Sequence, residues 1–324
     1  MMRIVAWLSG LAALFLAQAA WAGAVGFEQV SIPVSGDKPL VAGIWYPTDA
    51  EEKVTPLRMF AQSVAEGASP SAGRHPMVVM SHGTGGWFGE HYDTALALAR
   101  AGFVVAAVSH TGDTYEDRSR TLRITERPGH LVRLIDYMTG EWRGAGQVDR
   151  GRIGAFGFSA GGFTVLGAAG AEIDISRFQP HCAAHPHFYD CLMQRLHPNT
   201  TGAPATSAVA HDPRIRAAVV AAPAMGFALD RAALAKVVIP IQLWRAEWDS
   251  VLPQPYYAEA VRRALPRPPE YHVAAGADHF DFMAPCSPAL AKDAPEICVP
   301  TLDRAAFHAT FNAEVVRFFR ANLR

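Results

Sequence analysis

The sequence lacks an excess of either charge. Its 324 residues carry 29 Lys and Arg against 30 Asp and Glu, and only 18 % of them are charged at all. A nucleic-acid binder needs a basic face to neutralise phosphates. A protein held on a membrane surface needs a polybasic cluster. Neither is present. Cysteine is scarce, at four, and a chain of this length builds its core without covalent staples. There is no internal repeat, no heptad pattern and no long polar linker, which excludes coiled coil, collagen and disorder. What is abundant is apolar: 50 % of the residues are hydrophobic. A neutral globular protein acting on something small fits this composition.

Part of the apolar excess sits in residues 1–22, where Arg3 is the sole charge. An apolar run from Ile4 to Leu16 is followed by small residues ending in Ala20-x-Ala22. That is the layout of a secretory signal peptide cleaved before Gly23. The run is short for a membrane span, so no stable span is expected in the mature chain. No cysteine lies near the cleavage site, which excludes a lipoprotein anchor. An exported chain, periplasmic or secreted, is therefore expected, with one domain over residues 23–324.

Export makes the cysteines interpretable. Four in an oxidising compartment read as two disulfides, with three possible connectivities. The local pairing, Cys182 with Cys191 and Cys286 with Cys298, needs the least rearrangement of chain. A zinc reading of the same region draws on His181, His185, His187 and His197. C-x8-C with scattered histidines is not a usual ligand spacing, so no metal is expected.

Short apolar runs alternate with segments of helical period, which predicts a mainly parallel sheet covered on both faces. Strands are expected at Phe27–Ile32, Leu40–Tyr46, Met77–Ser81, Phe103–Ser109, Arg152–Phe156, Ile215–Ala222, Val238–Trp244 and Glu270–Ala274. Leu131, Leu134, Ile135 and Met138 share one helix face. Phe307, Phe311, Val315 and Phe318 form a stripe on a closing helix, whose His308 is expected to face solvent or pack. Residues from about 170 to 212, and from 285 to 300, break the alternation. Long irregular excursions of this kind are usually lids or binding loops.

The sharpest motif is Gly157-Phe158-Ser159-Ala160-Gly161-Gly162, set between an apolar strand and a helix of small residues. It is G-x-S-x-G in a strand–turn–helix context. Such a turn exposes the Ser159 hydroxyl where helix N–H groups favour negative charge. A nucleophilic serine needs a base and an orienting acid, in the chain order Ser, acid, His. Of 13 histidines, His279 alone follows the last predicted strand at the right place. Asp249 lies on the loop after the penultimate strand, with Glu247 as its competitor. The oxyanion requires N–H donors. Ala160 supplies one by position, and the glycine-rich turn Ser81-His82-Gly83-Thr84-Gly85-Gly86 another, Thr84 first and Gly83 next. Trp87, Phe88, Trp248 and Phe280 adjoin these residues and are candidates, with Gly83, for contacting substrate in an apolar acyl pocket; packing of the loops is the alternative.

Together these residues resemble the α/β-hydrolase superfamily. Within it they look like the dienelactone-hydrolase-like group that is also similar to platelet-activating-factor acetylhydrolase. The likeness runs through Val41–Thr48, Pro76–Gly86, Val104–Gly112, Val148–Gly162 and Ala275–Phe282. It implies an α/β-hydrolase fold with eight mostly parallel strands, here carrying a disulfide-stapled lid insertion. It also implies a serine esterase that works without cofactor or metal on a small or medium ester, lipid-like esters included. Ser159, Asp249 and His279 would form the triad, with Thr84 and Ala160 as oxyanion donors. Dienelactone hydrolases use a cysteine where this chain has Ser159, so a dienelactone is not the implied substrate. Another acyl hydrolase, an acyltransferase or peptidase, or a non-catalytic binding protein are the alternatives. No propeller-sized domain is present to filter peptides.

Overall fold

The first strands of the chain form an antiparallel hairpin, β1 (Ala24–Ile32) with β2 (Leu40–Thr48), in unbroken register from Ala24 opposite Thr48 to Ile32 opposite Leu40. The computed structural model describes residues 23–196, 209–299 and 301–324. The expected signal segment, His197 and part of the first irregular excursion lie outside them.

Eight further strands complete the sheet: β3 (Lys53–Leu57), β4 (Phe60–Glu66), β5 (His75–Ser81), β6 (Val104–Ser109), β7 (Val148–Phe158), β8 (Ile215–Ala221), β9 (Ile241–Ala246) and β10 (Glu270–Ala274). Their order is β10-β9-β8-β7-β5-β6-β2-β1-β4-β3. From β10 to β6 every pairing is parallel. The sheet thus has ten strands, not the expected eight. The additions are β3 and β4, an edge hairpin whose turn places Arg58 at φ 55. Hairpin turns of this kind normally advertise themselves with Gly or Asn, and Pro56 further hides a strand that is tolerated because it lies at the edge.

The helices are α1 (Tyr92–Arg100), α2 (Arg127–Gly140), α3 (Ala160–Ala168), α4 (Phe178–Ala184), α5 (Tyr189–Leu196), α6 (Ala258–Ala264), α7 (Pro288–Asp293) and α8 (Arg304–Asn322). Side chains alternate across a strand, and both faces of the central strands are covered. Met77 and Val79 of β5 therefore pack toward Leu131 and Leu134 of α2 and Phe163 of α3. Val78 and Met80 pack toward Leu98 of α1 and Phe311 and Val315 of α8. Strands buried on both faces read as continuous apolar runs. Every residue of α3 is buried, which is why its sequence is small and apolar all round rather than amphipathic. His308 of α8 does not face solvent. It is 2 % exposed, with Nδ1 2.6 Å from Asp93 and Nε2 2.9 Å from the Asp281 carbonyl.

The disulfides follow the local pairing. Cys182–Cys191 ties α4 to α5, and Cys286–Cys298 closes the loop around α7. The first excursion thus contains two short helices, too brief to show a period in sequence.

Candidate active site

The register of β5 against β7 sets Ser81 beside Gly157. The turns that follow these two strands, one carrying Thr84 and the other Ser159, are therefore neighbours at the carboxyl end of the sheet. That is where ligands bind in open α/β folds. Ser159 has φ 54 and ψ −119, a conformation that L residues avoid. The surroundings impose it: its N–H donates to the Ala221 carbonyl, and its own carbonyl accepts from Gly162 and Ala224, each at 2.9 Å. Strain held this way belongs to functional sites more often than to loops. The flanking glycines have a steric reason. A Cβ on Gly157 would lie 2.1 Å from the Gly161 carbonyl oxygen, and one on Gly161 would lie 2.0 Å from that of Ser81.

Three side chains converge here. His279 Nε2 is 3.1 Å from Ser159 Oγ, and His279 Nδ1 is 3.0 Å from Asp249 Oδ2. The His279 and Asp249 side chains are each 2 % exposed, so water does not compete for the pair. Asp249 Oδ1 is itself fixed, accepting the N–H groups of Leu252 at 2.7 Å and Val251 at 3.2 Å. Glu247 turns elsewhere and accepts the Gly276 N–H. Asp278 and Asp281 shape the histidine loop as a capping box. Asp278 also accepts the N–H and hydroxyl of Ser250, which binds the acid loop to the histidine loop. Arg304 and Thr301 hold Asp281 from α8 and the segment before it.

The turn bearing Thr84 is pinned from inside by side chains that sequence reasoning missed. Glu90 accepts the Gly83 N–H at 3.1 Å, Asp113 accepts the Gly85 N–H at 2.9 Å, and the Gly86 N–H reaches the Gly83 carbonyl. Burial, reinforced by the Arg127 charge, holds His82 well below the usual histidine range. Its neutral ring accepts the His110 N–H at Nε2, which leaves Nδ1–H to donate to the Gly83 carbonyl at 2.6 Å. Arg127, at the start of α2 and 2 % exposed, pairs with Asp113 and donates to the His82 carbonyl. Among the described residues, the Thr84 and Ala160 N–H groups have no partner. The Gly83 N–H is already taken, so of the two donors weighed in this turn Thr84 is the free one. No sequence signal marks this cluster, because its members lie on separate elements and no spacing relates them.

Glu90 gives a pH prediction. Burial first, then the Asp113 charge, raise its pKa to about 8, against the Gly83 N–H and Arg127, which lower it. An acid with a raised folded-state pKa holds its proton in the native state after the unfolded state has lost it. Stability therefore falls as pH rises from about 4.5 toward 8. Glu90→Gln keeps an acceptor for Gly83 and removes that dependence. Urea midpoints at pH 5, 7 and 9 are expected to show the variant gaining on the wild type up to pH 8 and no further. A constant difference across the range would contradict the assignment.

Two cavities meet at Ser159, Thr84 and Tyr189. The first, about 310 Å³, is walled by Leu122, Ile124, Phe178, Met193, Met225 and Leu252 among others. The second, about 330 Å³, contains His279 and is lined by Gly83, Trp87 and Phe280. Three of the five expected contact residues, Gly83, Trp87 and Phe280, thus line one cavity. Trp248 does not: it is 69 % exposed and lines neither. Phe88 is a core residue packed on Trp45. His181, Asp190 and Cys191 bring potential ligand atoms close together. The Cys191 sulfur is bound in a disulfide and the Asp190 carboxylate accepts the Tyr257 hydroxyl.

No protein-family model matches the chain, and no curated protein matches it. Among solved structures it is similar to a ferulic acid esterase from Streptomyces cinnamoneus, with 20 % identity and a TM-score of 0.62, over 93 % of this chain and 90 % of that one. The likeness defines the fold, which this chain shares with an esterase over nearly its whole length.

Proposed function

We propose that the protein is a serine hydrolase of carboxylic esters that works through an acyl-enzyme. The observation that carries the reading is the chain of contacts from Ser159 Oγ to His279 Nε2 at 3.1 Å and from His279 Nδ1 to Asp249 Oδ2 at 3.0 Å. The ferulic acid esterase sharing the fold supports it. His279 takes the Ser159 proton as Oγ attacks the carbonyl carbon. Asp249 holds the ring tautomer and stabilises the imidazolium. The Thr84 and Ala160 N–H groups receive the oxyanion. Collapse expels the alcohol, protonated by His279, and water then repeats the sequence on the acyl-enzyme. No cofactor or metal enters any step. The substrate is a small or medium ester, lipid-like esters included, as for carboxylesterases and enzymes like platelet-activating-factor acetylhydrolase. The mature protein would be a single domain from Gly23 to Arg324, exported, with residues 170–212 as lid; the two disulfides support that compartment.

A fluorophosphonate probe is expected to label the protein at Ser159, and p-nitrophenyl esters to turn over while a peptide anilide does not. Absence of labelling at Ser159 would reject the reading. The choice of acid is tested separately. Asp249→Asn is expected to lower kcat by about 10³–10⁴, because the ring loses its orienting acceptor. Glu247→Gln is expected to stay within about twofold, since its carboxylate serves the Gly276 amide. A larger loss in the second variant would move the role to Glu247.

A further inference from the structure

We infer that the two cavities divide the ester between them: the acyl group enters the chamber beneath α4 and α5, and the alcohol leaves on the His279 side. The inference rests on the hydrolase reading and adds the substrate's orientation and class. Ser159 and Thr84 line both cavities, so a carbonyl under attack sits at their junction, with its two substituents pointing opposite ways. The departing alcohol oxygen must take its proton from His279 Nε2, at hydrogen-bond distance. His279 lines the second cavity and not the first. The alcohol therefore belongs to the second and the acyl group to the first.

The walls differ in the same sense. Ile124, Phe178, Met193, Met225 and Leu252 present an apolar lining to the first chamber. The second adds Arg58, Arg118, Asp293 and Glu296 to apolar walls that include Trp87, Phe280, Met283 and Leu290, an environment for an alcohol with both apolar and polar parts. The first chamber's 310 Å³ is roughly ten water volumes at about 30 Å³ each. It has room for an apolar acyl group of about eight to ten heavy atoms, straight-chain or aromatic, which acetyl leaves mostly empty. Phe178 and Met193 come from the two helices joined by Cys182–Cys191. The disulfide thus fixes the outer wall. Trp87 and Phe280, expected from their sequence positions to hold the acyl group, contact the alcohol instead.

The test is a matrix of kcat/KM on the full chain. One axis is p-nitrophenyl esters from acetate to dodecanoate. The other is butyrate esters of ethanol, cyclohexanol, glycerol and phenethyl alcohol. For the wild type, kcat/KM should rise about fourfold per buried methylene from acetate to roughly octanoate, then level. Met193→Trp, and independently Leu122→Trp, fill the acyl chamber at partly exposed positions. Each should lower the octanoate-to-acetate ratio of kcat/KM at least tenfold and leave the order of alcohols unchanged. Met283→Trp fills the other cavity and should reorder the alcohols without moving the acyl optimum. Ser159-dependent turnover with these patterns exchanged, or with neither variant shifting the acyl optimum, overturns the inference and leaves the hydrolase reading standing. Absence of any Ser159-dependent turnover overturns both.

Discussion

Ser159→Ala is expected to lower ester turnover by about 10⁵–10⁶ in kcat, with KM and thermal midpoint nearly unchanged. The size follows from how such groups act. Nucleophile, base and acid work as one unit, so removing the nucleophile costs nearly as much as removing all three. The small structural effect follows from the site. The strain at Ser159 is set by the backbone, through the bonds to Ala221, Gly162 and Ala224, and alanine keeps the same Cβ under the same strain. The hydroxyl forms one hydrogen bond, to His279, worth about 1 kcal/mol net. The free Thr84 and Ala160 amides and both cavities persist, so a residual rate about 10³ above water should remain. His279→Ala added to Ser159→Ala should lower it little further. Measured kcat, fluorophosphonate labelling and melting curves on the same preparations decide the matter. Purified Ser159→Ala cleaving esters at the wild-type rate would remove the nucleophile from the mechanism.

The residues of this convergence were legible because each carries a local mark. Ser159 sits in a motif whose glycines are dictated by contacts within a few residues of chain or with the adjacent strand end. His279 and Asp249 follow strand ends that can be counted off from apolar runs. The cysteine pairs were legible because the short loop is the cheap connection. The cluster that pins the turn bearing Thr84 had no such mark. Arg127 contacts Asp113 and the His82 carbonyl across 14 and 45 residues, and nothing along the chain announces that α2 begins beneath β5. The edge hairpin of β3 and β4 was hidden by Pro56 and by a turn at Arg58 lacking glycine. Trp248 differs from its expectation because nearness in sequence to Asp249 says nothing about direction: it lies in a turn whose outer side carries it into solvent, 69 % exposed, while Asp249 is 7 % exposed.

Gly161→Ala is expected to destabilise the protein by about 3 kcal/mol or more and to reduce turnover at least 10³-fold in whatever fraction folds. The added Cβ would meet the Ser81 carbonyl oxygen at 2.0 Å, the Ser81 carbonyl carbon at 2.6 Å and the His82 carbonyl oxygen at 2.8 Å. All three are backbone, so no rotamer change relieves the contact. The remaining escape is to separate the first turn of α3 from the end of β5. These are the segments that carry the two free amides, Ala160 on one and Thr84 on the other. The His82 carbonyl also receives Arg127, so the displacement strips a buried guanidinium of a partner as well. Gly162→Ala provides the control. Its Cβ would meet Pro223 Cα and Cβ and Val220 Cγ1 at 3.1 to 3.2 Å, about 1 Å farther than the Gly161 contact and short by only a few tenths of an ångström, and alanine returns up to about 1 kcal/mol of helix propensity. That variant should keep its melting temperature within a few degrees and its kcat within about tenfold. Because the two glycines are adjacent on one helix turn, propensity and length cannot separate them. If Gly161→Ala matched Gly162→Ala in stability and rate, the close approach of α3 to β5 would not be what sets the relative position of the Ala160 and Thr84 amides.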